Sequence, residues 1–97
     1  MKNDNIPGWK RFLELCKQQE SNKELNQFFD LVLTIEERET IASRCLIIDA
    51  LLEGQLPQRE ISEKHHVSIA QITRGSNALK IVDSKFKKGL TKKTNKS

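Results

Sequence analysis

The sequence predicts an all-α fold, an interlocked homodimer of short helices carrying a helix-turn-helix head. Three observations lead there. Apolar residues recur at helical spacing along most of the chain, and no stretch alternates as a strand would. Three segments open on a hydroxyl residue placed to cap a helix, at Ser21, Thr34 and Ser68. The third predicted helix is apolar on more than one side, which requires burial all round or against a partner. A 97-residue chain has little else to bury it with, since a monomer of this size hides only about 60% of its unfolded surface. The alternative is a compact monomeric bundle.

Residues 1–7 are expected to be disordered. Trp9, Phe12, Leu13 and Cys16 follow i, i+3, i+4, i+7 and predict a first amphipathic helix over about residues 8–20. Ser21 and Glu24 form a capping box that opens a second helix, with Leu25, Phe28, Phe29 and Val32 on one side. Thr34 and Glu37 form another, with Glu36 and Glu37 well placed in the first turn of a long third helix. Ile41, Cys45, Ile48 and Leu52 make its stripe, widened by Ala42, Ile47 and Leu51, and Gly54 is its stop.

Pro57 is expected at a first helical position, where its missing N–H costs little. Gln58, Arg59 and Glu60 then begin a short helix with Ile61 facing inward. His65, His66 and Val67 occupy a tight turn, and Ser68 caps a helix striped by Ile69, Ile72 and Leu79. Two helices joined by such a turn are the unit that places side chains in a major groove, although an ordinary helical hairpin has the same spacing. The division expected is residues 8–56 as a helical dimerisation core, 57–82 as the DNA-reading head, and 83–97 as a weak last helix followed by a disordered lysine-rich tail.

Composition narrows the function. The chain is 36% apolar and 31% charged, with a formal net charge of +4. Residues 85–97 hold six of the lysines and no acid, so eleven basic residues face thirteen acidic ones in the remainder. The positive balance therefore belongs to the C-terminal end, which either extends a phosphate footprint or stays a solvated end. The longest apolar runs are too short to span a membrane, and the N-terminus has no apolar h-region, so a cytoplasmic location is expected. Cys16 and Cys45, far apart and each on an apolar helix face, read as buried free thiols. No nucleophile and base are paired, no phosphate loop is present and no metal-spaced cluster occurs, so an enzyme, a cofactor and a metal site are not expected.

The run ITRGSNALK, Ile72 to Lys80, resembles the Trp repressor family. LTIEERE from Leu33 to Glu39, Arg44, and LLEGQLPQREI from Leu51 to Ile61 match it in the same order without gaps. The resemblance covers about Trp9 to Lys80. It implies an obligate homodimer in which each half binds one L-tryptophan as corepressor and the pair reads a palindromic operator in double-stranded DNA.

On that resemblance, the guanidiniums of Arg44 and Arg74 sandwich the indole, a physically favourable stacking. Arg44 and the partner's Thr34 hold the carboxylate, and carbonyls at the partner's Leu31 and Leu33 take the ammonium, at the negative end of a helix dipole. Ile48 and Gly75 line the slot. Ile69, Ala70, Thr73 and Lys80, with Ser68 and Gln71, match positions at the operator, and Gln58 and Arg59 match positions on the preceding helix. Ile69 and Ala70 suit thymine methyl groups, while Lys80, Gln58 and Arg59 suit phosphates or base edges. In this family's operator complex, base contacts are largely carried by water. The ligand, wedged beside the reading helix, would select the tilt at which both heads fit major grooves ~34 Å apart. Read without the resemblance, Arg44 is a solvated or salt-bridging residue, and Gln71 and Thr73 are ordinary exposed helix surface.

The chain also departs from the family's pattern. Ala78 stands where a serine helps hold the ligand ammonium. Gln71 replaces a threonine, and a glutamine there can read adenine through two hydrogen bonds, which would change the operator. His65 and His66 replace a leucine-glycine pair, histidine being one of the residues that tolerate positive φ. The final helix has only Phe86 and Leu90 as apolar residues, interrupted by lysines and Gly89. Two further readings stay open: a DNA-binding protein of the same fold with no tryptophan response, and a helical protein that docks on a protein partner.

Overall fold

The computed structural model describes the backbone of residues 6–96, and it is all helical. Six helices follow one another: α1 (Ile6–Gln18), α2 (Asn22–Val32), α3 (Ile35–Glu53), α4 (Gln58–His65), α5 (Ile69–Ile81) and α6 (Ser84–Lys96). None of the described helices is long and apolar enough to cross a membrane. The chain divides into two compact units, one up to Arg38 and one from Glu39 onward.

In the first unit, α1 begins two residues earlier than the stripe of Trp9 predicts, because Pro7 is compatible with a first helical turn. Most of the expected disordered N-terminus lies outside the described residues. Helix α1 ends where the Gln19 side chain donates to the Leu15 carbonyl at 2.8 Å, satisfying an acceptor the helix end leaves open. Its apolar face meets α2 through aromatic rings. Phe12 lies 5.2 Å from Trp9, 5.7 Å from Phe28 and 6.2 Å from Phe29, centroid to centroid. Such spacings suit aromatic pairing. Phe28 is the buried member, whereas Trp9 stays 59% exposed.

Both early capping residues act as predicted, with one shift. Ser21 Oγ accepts from the Glu24 amide at 3.1 Å, but the Glu24 carboxylate reaches back to the amide of Glu20 and not to that of Ser21. At α3 the box is reciprocal: Thr34 Oγ1 accepts from Glu37 N at 3.0 Å, and Glu37 Oε1 accepts from Thr34 N at 2.8 Å.

The second unit is built on Ile47, Ala50, Ile61, Val67 and Ile72, with Leu51 and Leu56 packed against them. Ile47, Ile61 and Ile72 are at most 1% exposed, so α3, α4 and α5 each contribute one fully buried isoleucine. This corrects the predicted phase of α3. The inward face carries Ile47 and Ala50, while Ile41 and Cys45 of the predicted stripe are exposed and Ile48 and Leu52 are half-buried. A helix apolar all round has no unique moment, so periodicity does not choose its inward face. Cys45 is accordingly an exposed free thiol, not a buried one, and Cys16 is half-buried.

Gly54 ends α3 at φ +67°, the left-handed conformation expected of a helix-stop glycine. Pro57 precedes α4 as its cap, at φ −65° and ψ 159°, one position before the expected place. Helix α6 differs most. Asp83 Oδ2 accepts from Phe86 N at 3.1 Å, and the helix then runs 13 residues to Lys96. The expected short helix and disordered tail are replaced by one continuous helix. Lysine is a good helix former, so local propensity sustains α6 without a strong apolar stripe.

Candidate ligand and nucleic-acid surfaces

The corner between α2 and α3 holds three of the predicted ligand residues. Leu33 N donates to the Phe29 carbonyl at 2.9 Å and ends α2. Among the described residues, the carbonyls of Leu31 and Leu33 receive no hydrogen bond, so both are open acceptors at the negative end of a helix. Thr34 follows at once. Its Oγ1 uses one lone pair for Glu37 N, which leaves the hydroxyl proton free to donate. The corner thus presents acceptors and a donor within four residues. The Arg38 guanidinium clamps it by pairing with the Asp30 carboxylate, with Asn26 Oδ1 at 3.4 Å from Nη2. Sequence reading missed this brace. Its signal was an acid and a base eight residues apart on either side of a predicted corner.

In the second unit, α5 approaches α3 closely at Gly75. A β-carbon built there would lie 3.1 Å from Ile47 Cγ2, 3.5 Å from Leu51 Cδ1 and 3.6 Å from Ile48 Cδ1. Ile48 and Gly75, both predicted to line one slot, are therefore neighbours. Arg44 lies one helical turn before Ile48 on α3, the spacing at which side chains share a face. Arg74 immediately precedes Gly75. Both arginines are exposed, and among the described residues neither guanidinium makes an ion pair or a hydrogen bond. Ala78 is exposed one turn beyond Arg74.

The mounting of α5 is tightly specified. His66 is the turn residue at φ 55°, ψ 45°, and His65 completes α4, one residue later than expected. Val67 N donates to Ser62 O at 3.2 Å, and Ser62 Oγ donates to Val67 O at 2.6 Å. These bonds hold Val67 at 8% exposure beside Ile61 and Ile72. The Ser62 contribution was not foreseen, since nothing in the sequence marks that half-buried serine apart from other polar helix positions. Ser68 then caps α5 with Gln71 as its reciprocal partner.

What this leaves outward is the predicted reading face. Ser68, Ile69, Ala70, Gln71, Thr73 and Lys80 on α5, and Gln58 and Arg59 on α4, are all exposed. Ile69 is 48% exposed, so it belongs to this face more than to the core stripe assigned to it.

Comparison with known proteins decides the family. The family model described as Trp repressor protein matches residues 7–94. The chain belongs to the Trp repressor family. Curated members include the Trp operon repressor homolog of Chlamydia trachomatis serovar D, 56% identical over 92 residues covering 95% of this chain and 98% of that protein. The homolog of Chlamydia caviae is 58% identical over 86 residues, 89% of this chain and 85% of the relative. That of Haemophilus influenzae strain Rd is 37% identical over 82 residues, 84% and 81% respectively. The Trp repressor match runs from the first turn of α1 into α6, so it takes in most of both compact units. It is a family of transcriptional repressors and not of enzymes.

Proposed function

We propose that this chain is a cytoplasmic, tryptophan-dependent transcriptional repressor that works as a homodimer on a palindromic operator. The observation that carries the reading is the α2–α3 corner. Two open carbonyls beside a free hydroxyl proton match an ammonium and a carboxylate, the head group of an α-amino acid. Arg44 and Arg74, exposed and unpaired among the described residues, are available to stack on an indole.

The dimer is supported by apolar surface that one chain leaves open. Leu31 is 82% exposed, Ile35 75%, and Ile41 and Leu46 49% each. Burying such side chains against a second copy is worth roughly 1.5–3 kcal/mol apiece. In the dimer the partner's Thr34, Leu31 and Leu33 would meet the head group of a tryptophan stacked between Arg44 and Arg74. Ligand lodged against Ile48 and Gly75 sets the pose of α5, whose N-terminal residues then meet the major groove as the second helix of a helix-turn-helix. The ligand favours the DNA-competent pose by binding it more tightly than the alternative.

Isothermal calorimetry with L-tryptophan, and indole as control, tests this. Saturation near one ligand per chain, with indole failing, is the expected result. No heat at millimolar tryptophan would sink the ligand half of the reading and leave a DNA-binding protein of the same fold.

A further inference from the structure

Gln71 stands exposed in the first turn of α5. A free glutamine at a base edge pairs with adenine in two directions, its oxygen accepting from N6 and its amino group donating to N7. Here the oxygen is already engaged. Gln71 Oε1 accepts from Ser68 N at 2.9 Å and lies 3.4 Å from Ser68 Oγ, while Ser68 Oγ accepts from Gln71 N at 3.1 Å. The 2.9 Å bond takes one lone pair of the amide oxygen and turns that oxygen towards Ser68, with Ser68 Oγ on its other side at a distance long for an O–H···O bond. Turning the amide towards a base would strip the cap from α5 and leave the Ser68 amide without a partner. With the oxygen held at Ser68, the end of the amide directed elsewhere is the Nε2 amino group, which carries two N–H donors.

We infer that Gln71, longer than the threonine it replaces, meets a base edge directly where the family's contacts are largely carried by water, and sets operator specificity as a one-sided donor: it demands an acceptor on that edge and does not single out adenine. Guanine O6 or N7, adenine N7 and thymine O4 satisfy it, and cytosine, which offers a donor at N4, does not. Ser68 is the positioning residue that enforces this, by holding the oxygen away from the groove. The inference rests on the DNA-reading function proposed above.

The test is selection of a randomised duplex library by the full-length chain with saturating L-tryptophan, run beside Gln71→Glu and Gln71→Ala. Glutamate keeps an acceptor for Ser68 but removes both donors, whereas alanine removes cap and donors together. Thermal melting should therefore separate the two variants, with Gln71→Ala lowering Tm and Gln71→Glu leaving it near the parent value. The base pair whose preference changes in Gln71→Glu is the one Gln71 reads. There the parent chain should accept guanine and adenine within about twofold and deplete cytosine about tenfold. Gln71→Glu should relieve that depletion. An adenine preference of about tenfold or more over guanine, lost in both variants, would overturn the inference, because it requires the two-directional contact. So would the absence of any changed position. Failure of the parent chain to enrich any sequence is a distinct result: it overturns the DNA-reading function, and this inference with it.

Discussion

A β-carbon added to Gly75 would stand 3.1 Å from Cγ2 of Ile47, a side chain only 1% exposed. The α3–α5 spacing is thus set by the absence of a side chain on one helix and a fully packed branched one on the other. Ile47 has no solvent to move into, so the distance matters to stability.

Gly75→Ala should lower stability by about 1 kcal/mol, because overpacking at about 1–3 kcal/mol outweighs the helix preference for alanine of about 1 kcal/mol. Gly89→Ala is the contrast. Nothing lies within 4 Å of its β-carbon, so the same change should stabilise α6, by about 0.5–1 kcal/mol. Urea denaturation of both variants checks the sign; equal shifts would show that the contact with Ile47 is irrelevant.

His66 holds φ 55° in the connection from α4 to α5. The left-handed conformation costs a residue with a β-carbon about 1–2 kcal/mol, part of which glycine gives back through its unfolded-state entropy. His66→Gly should raise stability by up to about 1 kcal/mol, and His66→Val should lower it by more than that. Chemical denaturation midpoints, read with L-tryptophan absent, would decide.

Ile61 and Ile72 are both fully buried, from α4 and α5. Either one changed to alanine should lose about 2–5 kcal/mol, a large share of the ~5–15 kcal/mol typical of a folded domain. Circular dichroism melts should show it. A loss near zero would mean that the α4–α5 packing does not hold in solution.

Arg44→Ala and Arg74→Ala should each abolish ligand-dependent DNA binding with little effect on the fold, since both side chains are exposed and unpaired among the described residues. Calorimetry and operator titration with and without tryptophan measure this. A variant that still responds normally removes that arginine from the ligand slot.

Removing residues 91–97 deletes three lysines. If they meet phosphates, the negative slope of log K against log salt should become shallower by up to about 0.9 for each phosphate no longer neutralised. An unchanged slope would make the end of α6 a passive element.

What could be read from the residues alone was local. The caps at Ser21, Thr34 and Ser68 depend on a hydroxyl and an amide three residues apart, so a short string specifies them. Gly54 and His66 were legible for the same reason, as positions demanding positive φ. The order of the first five helices followed from caps and periodicity together, and the family's residues along the chain pointed to Arg44, Arg74 and the α2–α3 corner.

Tertiary structure decided what local chemistry leaves degenerate. The inward face of α3 is Ile47 and Ala50 because α4 and α5 pack there, a choice that an all-round apolar helix does not encode in its own spacing. Gly75 is an ordinary helical glycine until Ile47 stands opposite it, and Ser62 an ordinary serine until the turn brings Val67 O within 2.6 Å. Gln71 shows the division most clearly: its identity suggests an adenine reader, but the geometry of its bond to Ser68 decides which end of the amide is left for a partner. Sequence determines which groups a chain can offer; packing determines which of them are already in use, because each lone pair and each buried volume can be filled only once.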